Sequence, residues 1–530
     1  MDTREIIEAG SAVLGIELGS TRIKAVLVDE SGNTIAQGSH GWENSYENGV
    51  WTYGMDEVWS GLQAAYADLS KNVKDEYGVT LERTAAIGFS AMMHGYLAFD
   101  KEDELLVPFR TWRNTITRQA SEELTKAFGF NIPQRWSIAH LYQAVLNGED
   151  HVKDVAFFTT LAGYVHWKLT GQKVLGIGDA SGMFPIDSSI KDYNKEYISK
   201  FDELVKDKGF GWKLSDILPK VLMAGDDAGT LTPEGAKLLD PTGTLKPGTP
   251  LAPPEGDAGT GMTATNSVAA RTGNVSAGTS VFAMVVMEKA LKSVHEEIDV
   301  VTTPVGDDVA MVHCNNCTSD INAWANIFRE YSEAVGAPVD NDKLYNVLFS
   351  SALKGAADCG GLMGFNYFSG EPVTGFEEGR PVFARKVNAD FTFANFMRYN
   401  LYSAVATLKY GLDILFKEEG VVCDVLYGHG GFFKTKEAGA RVMSAAYGGS
   451  VSVMETAGEG GAWGMAILAL YLIKNGNMSL PQFLNDVIFK DQKGSTVMAD
   501  KAEIEGFDKF MEGFRAALSI EKAAIEALGE

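Results

Sequence analysis

The sequence predicts an α/β protein made of two domains. Its 530 residues are enough for more than one domain with a buried core. Apolar segments of strand and helix character alternate along the chain, which is typical of a mixed α/β sheet. A β-hairpin with a turn rich in Gly, Ser and Thr occurs near the start of each half, which indicates a repeated plan.

The first half opens with a three-strand meander. Residues 13–18 form a short apolar strand, residues 19–21 (Gly-Ser-Thr) a turn, and residues 22–28 a second strand that leads to a third at 34–37. Apolar side chains then recur at helical spacing over residues 56–74, and the strand-like run 85–90 follows. Strand and helix therefore alternate from the start of the chain.

A segment rich in Thr, Gly and Pro, residues 230–257, is the best candidate for a domain boundary. We predict an N-terminal domain over residues 1–252 and a C-terminal domain over residues 253–530, whose last helix is a candidate to pack back on the first domain. The second Gly/Ser/Thr hairpin, residues 271–286, begins just after this boundary.

The second half continues with alternating elements. We predict a helix over residues 391–416, a strand over 421–427 with a glycine-rich turn at 428–431, and a second glycine cluster at 458–464. That cluster opens an apolar helix over 465–472, and residues 500–528 form an amphipathic helical tail.

Composition excludes several classes of function. The chain has 46 Lys and Arg against 70 Asp and Glu, a formal net charge of −24, so it lacks the basic surface that binds nucleic acid or an anionic membrane. Four cysteines are too few for a disulfide scaffold, which favours a reducing compartment. With an acidic N-terminus and no apolar run of membrane-spanning length, we expect a cytoplasmic protein.

The two hairpin turns are candidate phosphate sites. Glycine leaves backbone N–H groups open to a phosphate, and small hydroxyl side chains can add further contacts. Each turn alone also fits an ordinary β-turn, but two of them at matching places in two halves favour phosphate binding. Neither turn is a Walker loop, and neither opens a helix as a dinucleotide-binding loop does.

Asp257 stands among glycines in the segment 254–262 (PEGDAGTGM). A carboxylate at this place could accept the proton of an alcohol, the role of the base in phosphoryl transfer. It could equally cap the helix that follows. The residues alone leave both interpretations open.

Six ordered segments together resemble the FGGY carbohydrate kinases. They are residues 15–21 (GIELGST), 93–95 (MHG), 178–182 (GDASG), 256–259 (GDAG), 278–280 (GTS) and 428–431 (GHGG). The resemblance covers nearly the whole chain and is nearest to the xylulokinase-like branch. It implies two ribonuclease-H-like domains of the actin/hexokinase-type ATPase fold, with ATP and sugar meeting in an interdomain cleft.

The resemblance also implies roles for particular residues. Asp257 matches the catalytic base, which also contacts the sugar, and Met93 and His94 match a sugar-contacting pair. The positions that match ATP-binding residues form two phosphate turns and a turn beside the adenosine: Gly19, Ser20 and Thr21; Gly278, Thr279 and Ser280; Gly430 and Gly431. Residues 460–461 are a looser match to the adenosine turn. The implied cofactors are ATP and Mg²⁺.

Two positions depart from the family pattern. Glu17 stands where an Asp usually helps to organise magnesium through water, so a metal role is retained with one extra methylene. Asn114 stands where many ketopentose kinases have an Asp beside an Arg, and Arg113 or Arg118 supplies the cation. Because Asn both donates and accepts, we expect Arg113 and Asn114 to bind the substrate with an altered hydroxyl pattern.

Other residues have a simpler interpretation. Trp51 and Asp56 resemble a family segment near the sugar, whereas Trp59 lies on an apolar helix face and is expected in the core. Asp179 also fits a helix cap. The Cys314–Cys317 pair lacks a second pair at zinc-site spacing and is expected to be structural.

The function predicted is ATP-dependent phosphorylation of a small sugar, first of all a ketopentose such as xylulose. Another ketose, a polyol or a sugar acid is the alternative within the class, and a non-catalytic sugar- or nucleotide-binding regulator is the alternative outside it. A dehydrogenase is disfavoured because the first glycine motif leads into a strand. The partners expected are ATP and the sugar, with no nucleic acid or membrane, and the oligomeric state is open, a homodimer included.

Overall fold

The computed structural model describes residues 2–435, 437–454, 460–492 and 494–529. Its strands, numbered along the chain, are β1 (Val13–Leu18), β2 (Arg22–Val28), β3 (Thr34–Gly41), β4 (Ser45–Glu47), β5 (Val50–Thr52), β6 (Ala86–Ala91), β7 (Leu97–Phe99), β8 (Phe157–Thr159), β9 (Val174–Gly176), β10 (Ile186–Asp187), β11 (Asp192–Tyr193), β12 (Lys220–Leu222), β13 (Glu255–Gly256), β14 (Thr272–Ala277), β15 (Val281–Val286), β16 (Asp299–Thr302), β17 (Asp308–Cys314), β18 (Leu362–Asn366), β19 (Pro381–Arg385), β20 (Val425–His429), β21 (Ser450–Met454) and β22 (Gly494–Val497).

The α-helices are numbered in the same way. They are α1 (Thr3–Glu8), α2 (Met55–Tyr77), α3 (Arg118–Phe128), α4 (Ser137–Asn147), α5 (Leu161–Thr170), α6 (Ile177–Ala180), α7 (Lys195–Val205), α8 (Leu214–Ile217), α9 (Pro233–Leu239), α10 (Asp257–Ala264), α11 (Ser319–Ala334), α12 (Asn341–Ala352), α13 (Phe393–Asp413), α14 (Ala438–Tyr447), α15 (Gly461–Lys474), α16 (Leu480–Phe483), α17 (Lys501–Ala516) and α18 (Leu518–Leu528). Short π-helical turns, Ile414–Glu418 and Leu484–Ile488, extend α13 and α16.

The chain divides into two compact units whose segments alternate along the sequence. The first unit comprises Met1–Val268, Val300–Val309 and Glu459–Asp491, and the second comprises Ala269–Asp299, Ala310–Gly458 and Gln492–Glu530. The chain first passes from the first unit to the second at residues 268/269. The change of domain at 252/253 stays a prediction. Helix α18 belongs to the second unit.

The first unit is built on a five-stranded sheet in the order β13-β6-β1-β2-β3. Strand β2 pairs antiparallel with both β1 and β3, and the three strands form the predicted meander. Strand β6 lies parallel to β1 on the other side, and β13 lies parallel to β6. The three parallel strands therefore end at the same edge of the sheet.

Two helices cover this sheet because their apolar residues meet it. Helix α2 buries Val58, Leu62 and Leu69 in the same cluster as Leu14 and Ile16 of β1. Burial of side chains of this size stabilises the unit by about 1.5–3 kcal/mol each.

Helix α15 packs closely on the sheet at two glycines that are register partners on the neighbouring strands β1 and β6. A Cβ on Gly15 would lie 2.2 Å from the Ala462 carbonyl oxygen, and one on Gly88 would lie 2.5 Å from the Met465 Cε. Larger residues at these two positions would push the helix away from the sheet.

The second unit repeats the arrangement. Its seven-stranded sheet has the order β16-β17-β15-β14-β20-β21-β22, in which β14 pairs antiparallel with β15 and parallel with β20. The inner order β17-β15-β14-β20-β21 matches β3-β2-β1-β6-β13 of the first unit. The resemblance between the two Gly/Ser/Thr hairpins in the sequence is thus confirmed at the level of topology.

Several element ends differ from the sequence predictions. Strand β20 begins at Val425 instead of Val421, because residues 421–424 do not join the sheet ladder. Helix α15 begins four residues earlier than predicted, at Gly461, and the helical tail is divided at Ala517 into α17 and α18. Of the predicted glycine cluster 458–464, residues 458 and 459 lie outside the described residues.

Within the described part of the chain, no helix combines the length and apolar character needed to cross a membrane.

Candidate functional site

The candidate site of the first unit lies where its parallel strands end. The Gly19–Thr21 turn follows β1, Met93 and His94 follow β6, and Asp257 follows β13. Ligands of open α/β sheets bind at the carboxyl ends of the strands. The topology thus brings together three segments that are far apart in sequence.

Asp257 is the first residue of α10, directly after its N-cap Gly256. Its Oδ1 accepts a hydrogen bond of 3.2 Å from the backbone N–H of Met93. The residue is exposed to solvent, yet desolvation by the surrounding protein raises the pKa of its carboxyl. The hydrogen bond from the Met93 N–H and the charge of Arg135 lower the pKa in part. A carboxylate held in this way is suited to accept a proton from a bound hydroxyl.

Glu17, on β1, lies close to Asp257. Burial and the nearby charge of Asp257 raise the pKa of the Glu17 carboxyl to about 7, and Lys24 lowers it. Mg²⁺ in phosphoryl-transfer sites is held by one or two carboxylates together with water and substrate phosphates. These two carboxylates therefore fit a magnesium ion.

The Glu17 carboxylate occupies the space beside Gly461, at the start of α15. A Cβ on Gly461 would lie 1.5 Å from Glu17 Oε2. The positive end of the helix dipole favours a carboxylate at this place. Contact of residues 460–461 with adenosine, the looser match in the sequence, stays a prediction. The structure places Gly461 against Glu17.

The Gly19–Thr21 turn, the first candidate phosphate site, is held by its carbonyl groups. The Trp42 indole N–H donates to the Gly19 oxygen at 2.7 Å, and the Tyr53 hydroxyl donates to the Ser20 oxygen at 2.7 Å. The two rings stack on each other with centroids 4.2 Å apart. Because C=O and N–H of a trans peptide point in opposite directions, the N–H groups of Ser20 and Thr21 face away from these rings.

Met93 and His94 both have buried side chains at the end of β6. His94 has a positive φ of 68°, which is uncommon for a residue with a side chain and often marks a functional position. Its Nδ1 lies 3.0 Å from the Gly182 oxygen, and its ring stacks at 6.1 Å on that of Trp136. Contact of either residue with a sugar stays a prediction.

Asn114 is buried and its amide is engaged by the backbone. Its Oδ1 accepts from Trp51 N at 2.8 Å, and its Nδ2 donates to the oxygens of Trp51 at 2.8 Å and Thr111 at 3.0 Å. Asn114 therefore anchors the β4–β5 hairpin that carries Trp51. Its predicted direct contact with substrate stays a prediction.

Arg113 is exposed, and its guanidinium lies 3.9 Å from the centre of the Trp51 ring. It also donates to Asn44 Oδ1 at 3.0 Å. The alternative cation, Arg118, lies at the start of α3. Arg113 therefore lies on the aromatic hairpin that carries Trp51.

In the second unit, the Gly278–Ser280 turn follows β14, and Gly430 and Gly431 follow the parallel strand β20. A Cβ on Gly430 would lie 2.4 Å from the Ala277 oxygen, and its φ of 95° suits glycine. Gly430 therefore lies against the last residue of β14, directly before the Gly278–Ser280 turn.

A surface cavity of about 520 Å³ adjoins these segments within the second unit. Its lining includes Gly431, Thr318, Asn322, Tyr345 and Phe349. A cavity of this size with an aromatic wall and amide groups falls within the range of small-molecule binding sites.

The remaining candidates have structural surroundings. Trp59 packs against the core, as expected, and donates to the Tyr164 hydroxyl; Asp56 is exposed in the first turn of α2. Asp179 is buried and accepts from Thr160 Oγ1 at 2.6 Å, while the N-cap of α6 is Gly176.

Cys314 and Cys317 are buried free thiols. Among the described residues, no group of three or more His, Cys, Asp or Glu side chains could hold a metal ion. Magnesium bound through one or two carboxylates and substrate oxygens does not need such a group.

Sequence reasoning missed the residues that hold the site residues in place. Trp42 and Tyr53 grip the first turn, and Arg135 acts on Asp257 through its charge. Glu255, the residue before Gly256, is buried, and its carboxylate accepts hydrogen bonds from the backbone N–H groups of Gly178 and Asp179. Only the position of Glu255 beside the Asp257 motif offered a signal in the sequence.

The strand order and the loops at the strand ends define an α/β protein of the actin/hexokinase-like ATPase fold. The crystal structure of gluconate kinase from Lactobacillus acidophilus superposes with a TM-score of 0.77 over 98% of both chains, at 17% sequence identity. Residues 12–261 match the model of the N-terminal domain, and residues 273–473 that of the C-terminal domain, of the FGGY family of carbohydrate kinases. The chain belongs to this family.

Several curated relatives are named xylulose kinase, among them one from Haemophilus influenzae and one from Staphylococcus xylosus. The one from Haemophilus influenzae is 23% identical over 518 residues, covering 96% of this chain and 99% of that protein. The one from Staphylococcus xylosus is 26% identical over 191 residues, which span 34% of this chain and 38% of that protein.

Proposed function

We propose that this protein transfers the γ-phosphate of ATP to a hydroxyl of a small sugar, first of all a ketopentose such as xylulose. Membership of the carbohydrate kinase family and the two relatives named xylulose kinase support this proposal. The observation that carries it is Asp257, held by the Met93 N–H beside the first phosphate turn at one edge of the sheet.

In the proposed reaction, Asp257 accepts the proton of the sugar hydroxyl as its oxygen attacks the γ-phosphate. Desolvation raises the pKa of the carboxyl, which makes its anion a better proton acceptor than an exposed aspartate. The Met93 N–H fixes one carboxylate oxygen, so the other is left to face the hydroxyl.

The nucleotide is bound through backbone groups. We assign the phosphates to the N–H groups and hydroxyls of the two turns, Gly19–Thr21 and Gly278–Ser280, and the adenosine to the cavity beside Gly430 and Gly431. Amides that already point outward need no rearrangement to meet developing negative charge.

Glu17 and Asp257 are the residues that would hold magnesium, Glu17 through water. The ion would neutralise charge on the phosphoryl oxygens. Glu17 must be deprotonated for this role, so its raised pKa predicts weaker magnesium binding in acidic solution.

For the sugar we propose a site formed by Met93, His94, Arg113 and Asn114. Met93, followed by His94, lies next to the Asp257 carboxylate. Asn114 holds the β4–β5 hairpin, whose Trp51 ring is covered by the Arg113 guanidinium. This hairpin can contact a sugar ring or chain through the Trp51 face.

The identity of the acceptor is tested by ADP release. Purified protein with MgATP is offered ketopentoses, other ketoses, polyols and sugar acids, the last because of the structural likeness to a gluconate kinase. We expect the largest stimulation with a ketopentose. If only another class of compound stimulates ADP release, that class replaces the ketopentose as the proposed substrate. If no sugar stimulates ADP release, the result favours the non-catalytic regulator.

A further inference from the structure

Glu371 is a buried residue of the second unit, and its carboxylate oxygens accept hydrogen bonds from the loop 315–318. Its Oε1 accepts from Asn315 N at 3.2 Å, and its Oε2 accepts from Asn316 N at 3.2 Å and Asn316 Nδ2 at 3.1 Å. Burial raises the pKa of this carboxyl to about 7. A group this costly to bury needs such partners to be tolerated.

Asn316 strengthens the same attachment from the other side. Its Oδ1 accepts from Phe368 N at 2.9 Å and Ser369 N at 3.1 Å, and its Nδ2 donates to Ser369 O at 3.1 Å. Residues 315–316 are therefore fastened to the segment 368–371 through both backbone and side chain.

The next two residues of the loop hold the second phosphate turn. Cys317 N donates to Thr279 O at 2.8 Å. Thr318 donates to Gly278 O through its backbone N–H at 3.1 Å and its Oγ1 at 2.7 Å. Because each peptide unit is planar and trans, gripping these carbonyls directs the N–H groups of Thr279 and Ser280 to the opposite side.

We propose that Glu371 is a positioning residue for the nucleotide phosphates. Through the loop 315–318 it fixes the direction in which the Gly278–Ser280 turn presents its N–H groups. The inference rests on the proposed function, in which this turn binds ATP. It adds an assignment for a residue that lies about 90 positions from the turn in sequence.

The same loop also reaches the nucleoside cavity. Thr318 lines the cavity near Gly431 while its hydroxyl holds Gly278. A loop displaced by the loss of Glu371 would therefore disturb the phosphate turn and one wall of this cavity together.

The test compares Glu371→Gln with the exposed control Glu333→Gln. The amide keeps the size of the side chain but replaces one acceptor by a donor that faces an N–H group. We expect the KM for MgATP to rise about tenfold, with the KM for the sugar unchanged and kcat less affected, and no change in the control.

A second pair of variants keeps the test independent of folding. Thr318→Val removes the hydroxyl donor to Gly278, and Thr318→Ser retains it. We expect a rise of about threefold in the KM for MgATP for Val and recovery to the wild-type value for Ser. These variants apply even if Glu371→Gln does not fold.

The outcomes separate this inference from the proposed function. A wild-type protein that neither binds MgADP nor releases ADP with any sugar would overturn the proposed function. An active wild type whose folded Glu371→Gln and Thr318→Val variants keep the wild-type KM for MgATP would overturn the inference alone. An equal rise in the KM for the sugar would show general disruption and would also count against it.

Discussion

Asp257 is the residue on which the proposed chemistry depends. Replacement by Asn removes the proton acceptor but keeps the size of the side chain and an oxygen for the Met93 N–H. We expect Asp257→Asn to lower kcat by about a hundredfold or more. The measurement is coupled ADP formation with the best sugar, after circular dichroism has shown the same fold.

The matched control for Asp257 is Glu234→Asn, a change of an exposed acidic residue in α9. It should retain wild-type turnover. Near-normal turnover of a folded Asp257→Asn protein would remove Asp257 from the role of base.

Glu255 predicts a pH dependence of stability. Burial raises the pKa of its carboxyl to about 8, and the N–H groups of Gly178, Gly256 and Asp179 lower it by less. Between about pH 4.5 and pH 8 the folded state keeps a proton that the unfolded state loses. The contribution of Glu255 to the free energy of unfolding therefore decreases as the pH rises through this window.

Denaturant unfolding at pH 5, 6, 7 and 8 measures this effect. We expect the Glu255→Gln protein to lose less stability between pH 5 and pH 8 than the wild type, even if the variant is less stable throughout. Parallel curves for the two proteins would show that Glu255 does not change its protonation in this range.

At the scale of elements, the β4–β5 hairpin depends on the Asn114 amide. In Asn114→Asp the two N–H donations to Trp51 O and Thr111 O are lost, and a carboxylate faces two carbonyl oxygens. We expect a loss of about 2 kcal/mol or more in unfolding free energy, with a raised KM for the sugar. The exposed control Asn388→Asp should leave both unchanged.

This prediction also bears on the departure from the family pattern. The resemblance to ketopentose kinases led us to expect a carboxylate at position 114, yet the local backbone here accepts from the amide donors of Asn114. An Asn114→Asp protein of unchanged stability would contradict the anchoring role that the hydrogen bonds indicate.

The first residue of α15, Gly461, lies against the Glu17 carboxylate. Gly461→Ala would place a Cβ within 1.5 Å of Glu17 Oε2 and force the carboxylate or the helix to move. We expect lower thermal stability and a higher magnesium concentration for half-maximal activity.

Gly513→Ala, in α17, is the matched control for Gly461→Ala. Nothing lies within 4 Å of the added Cβ at this position. It should raise stability slightly, because Ala favours a helix over Gly by up to about 1 kcal/mol. A Gly461→Ala protein with wild-type magnesium dependence would separate Glu17 from the metal.

The elements were predictable where the pattern is local. The β1–β2 hairpin, α2 and the second Gly/Ser/Thr hairpin follow from alternation, helical spacing and turn residues over short windows. The predicted start of β20 at Val421 was wrong because Val421 and Val422 have strand character but pair with no neighbouring strand. The division of the tail at Ala517 likewise depends on packing that residues 500–528 alone do not reveal.

The candidate site was predictable in part for a similar reason. Glycine, Asp and His segments at strand ends are visible in the sequence, so Gly19, Asp257 and Gly278 could be named. Trp42 and Tyr53 act on a turn 23 and 33 residues away, and Glu371 acts on two loop residues 56 and 55 positions away. Contacts of this range have no signature in one sequence.

At the scale of the whole molecule, two units carry the same strand order, and the chain returns to the first unit late, at Glu459–Asp491. Helix α15 is apolar on nearly all sides, so its pattern predicts burial but not the sheet that it covers. Its glycine-lined contact with β1 and β6 supplies that information.

The net charge of −24 and the proposed binding of ATP are compatible at this scale. Phosphate recognition is assigned to backbone N–H groups, hydroxyls and magnesium, none of which appears in a count of charged side chains. An acidic protein can therefore bind one nucleotide without a basic surface.

The most direct test of the central claim is a ³¹P NMR measurement of wild-type protein with MgATP and the sugar that gives most ADP. The account predicts a new phosphate-monoester signal of the sugar that grows in step with ADP and grows about a hundredfold or more slowly with Asp257→Asn. Inorganic phosphate as the only product, or an unchanged ATP spectrum with every sugar, would contradict it.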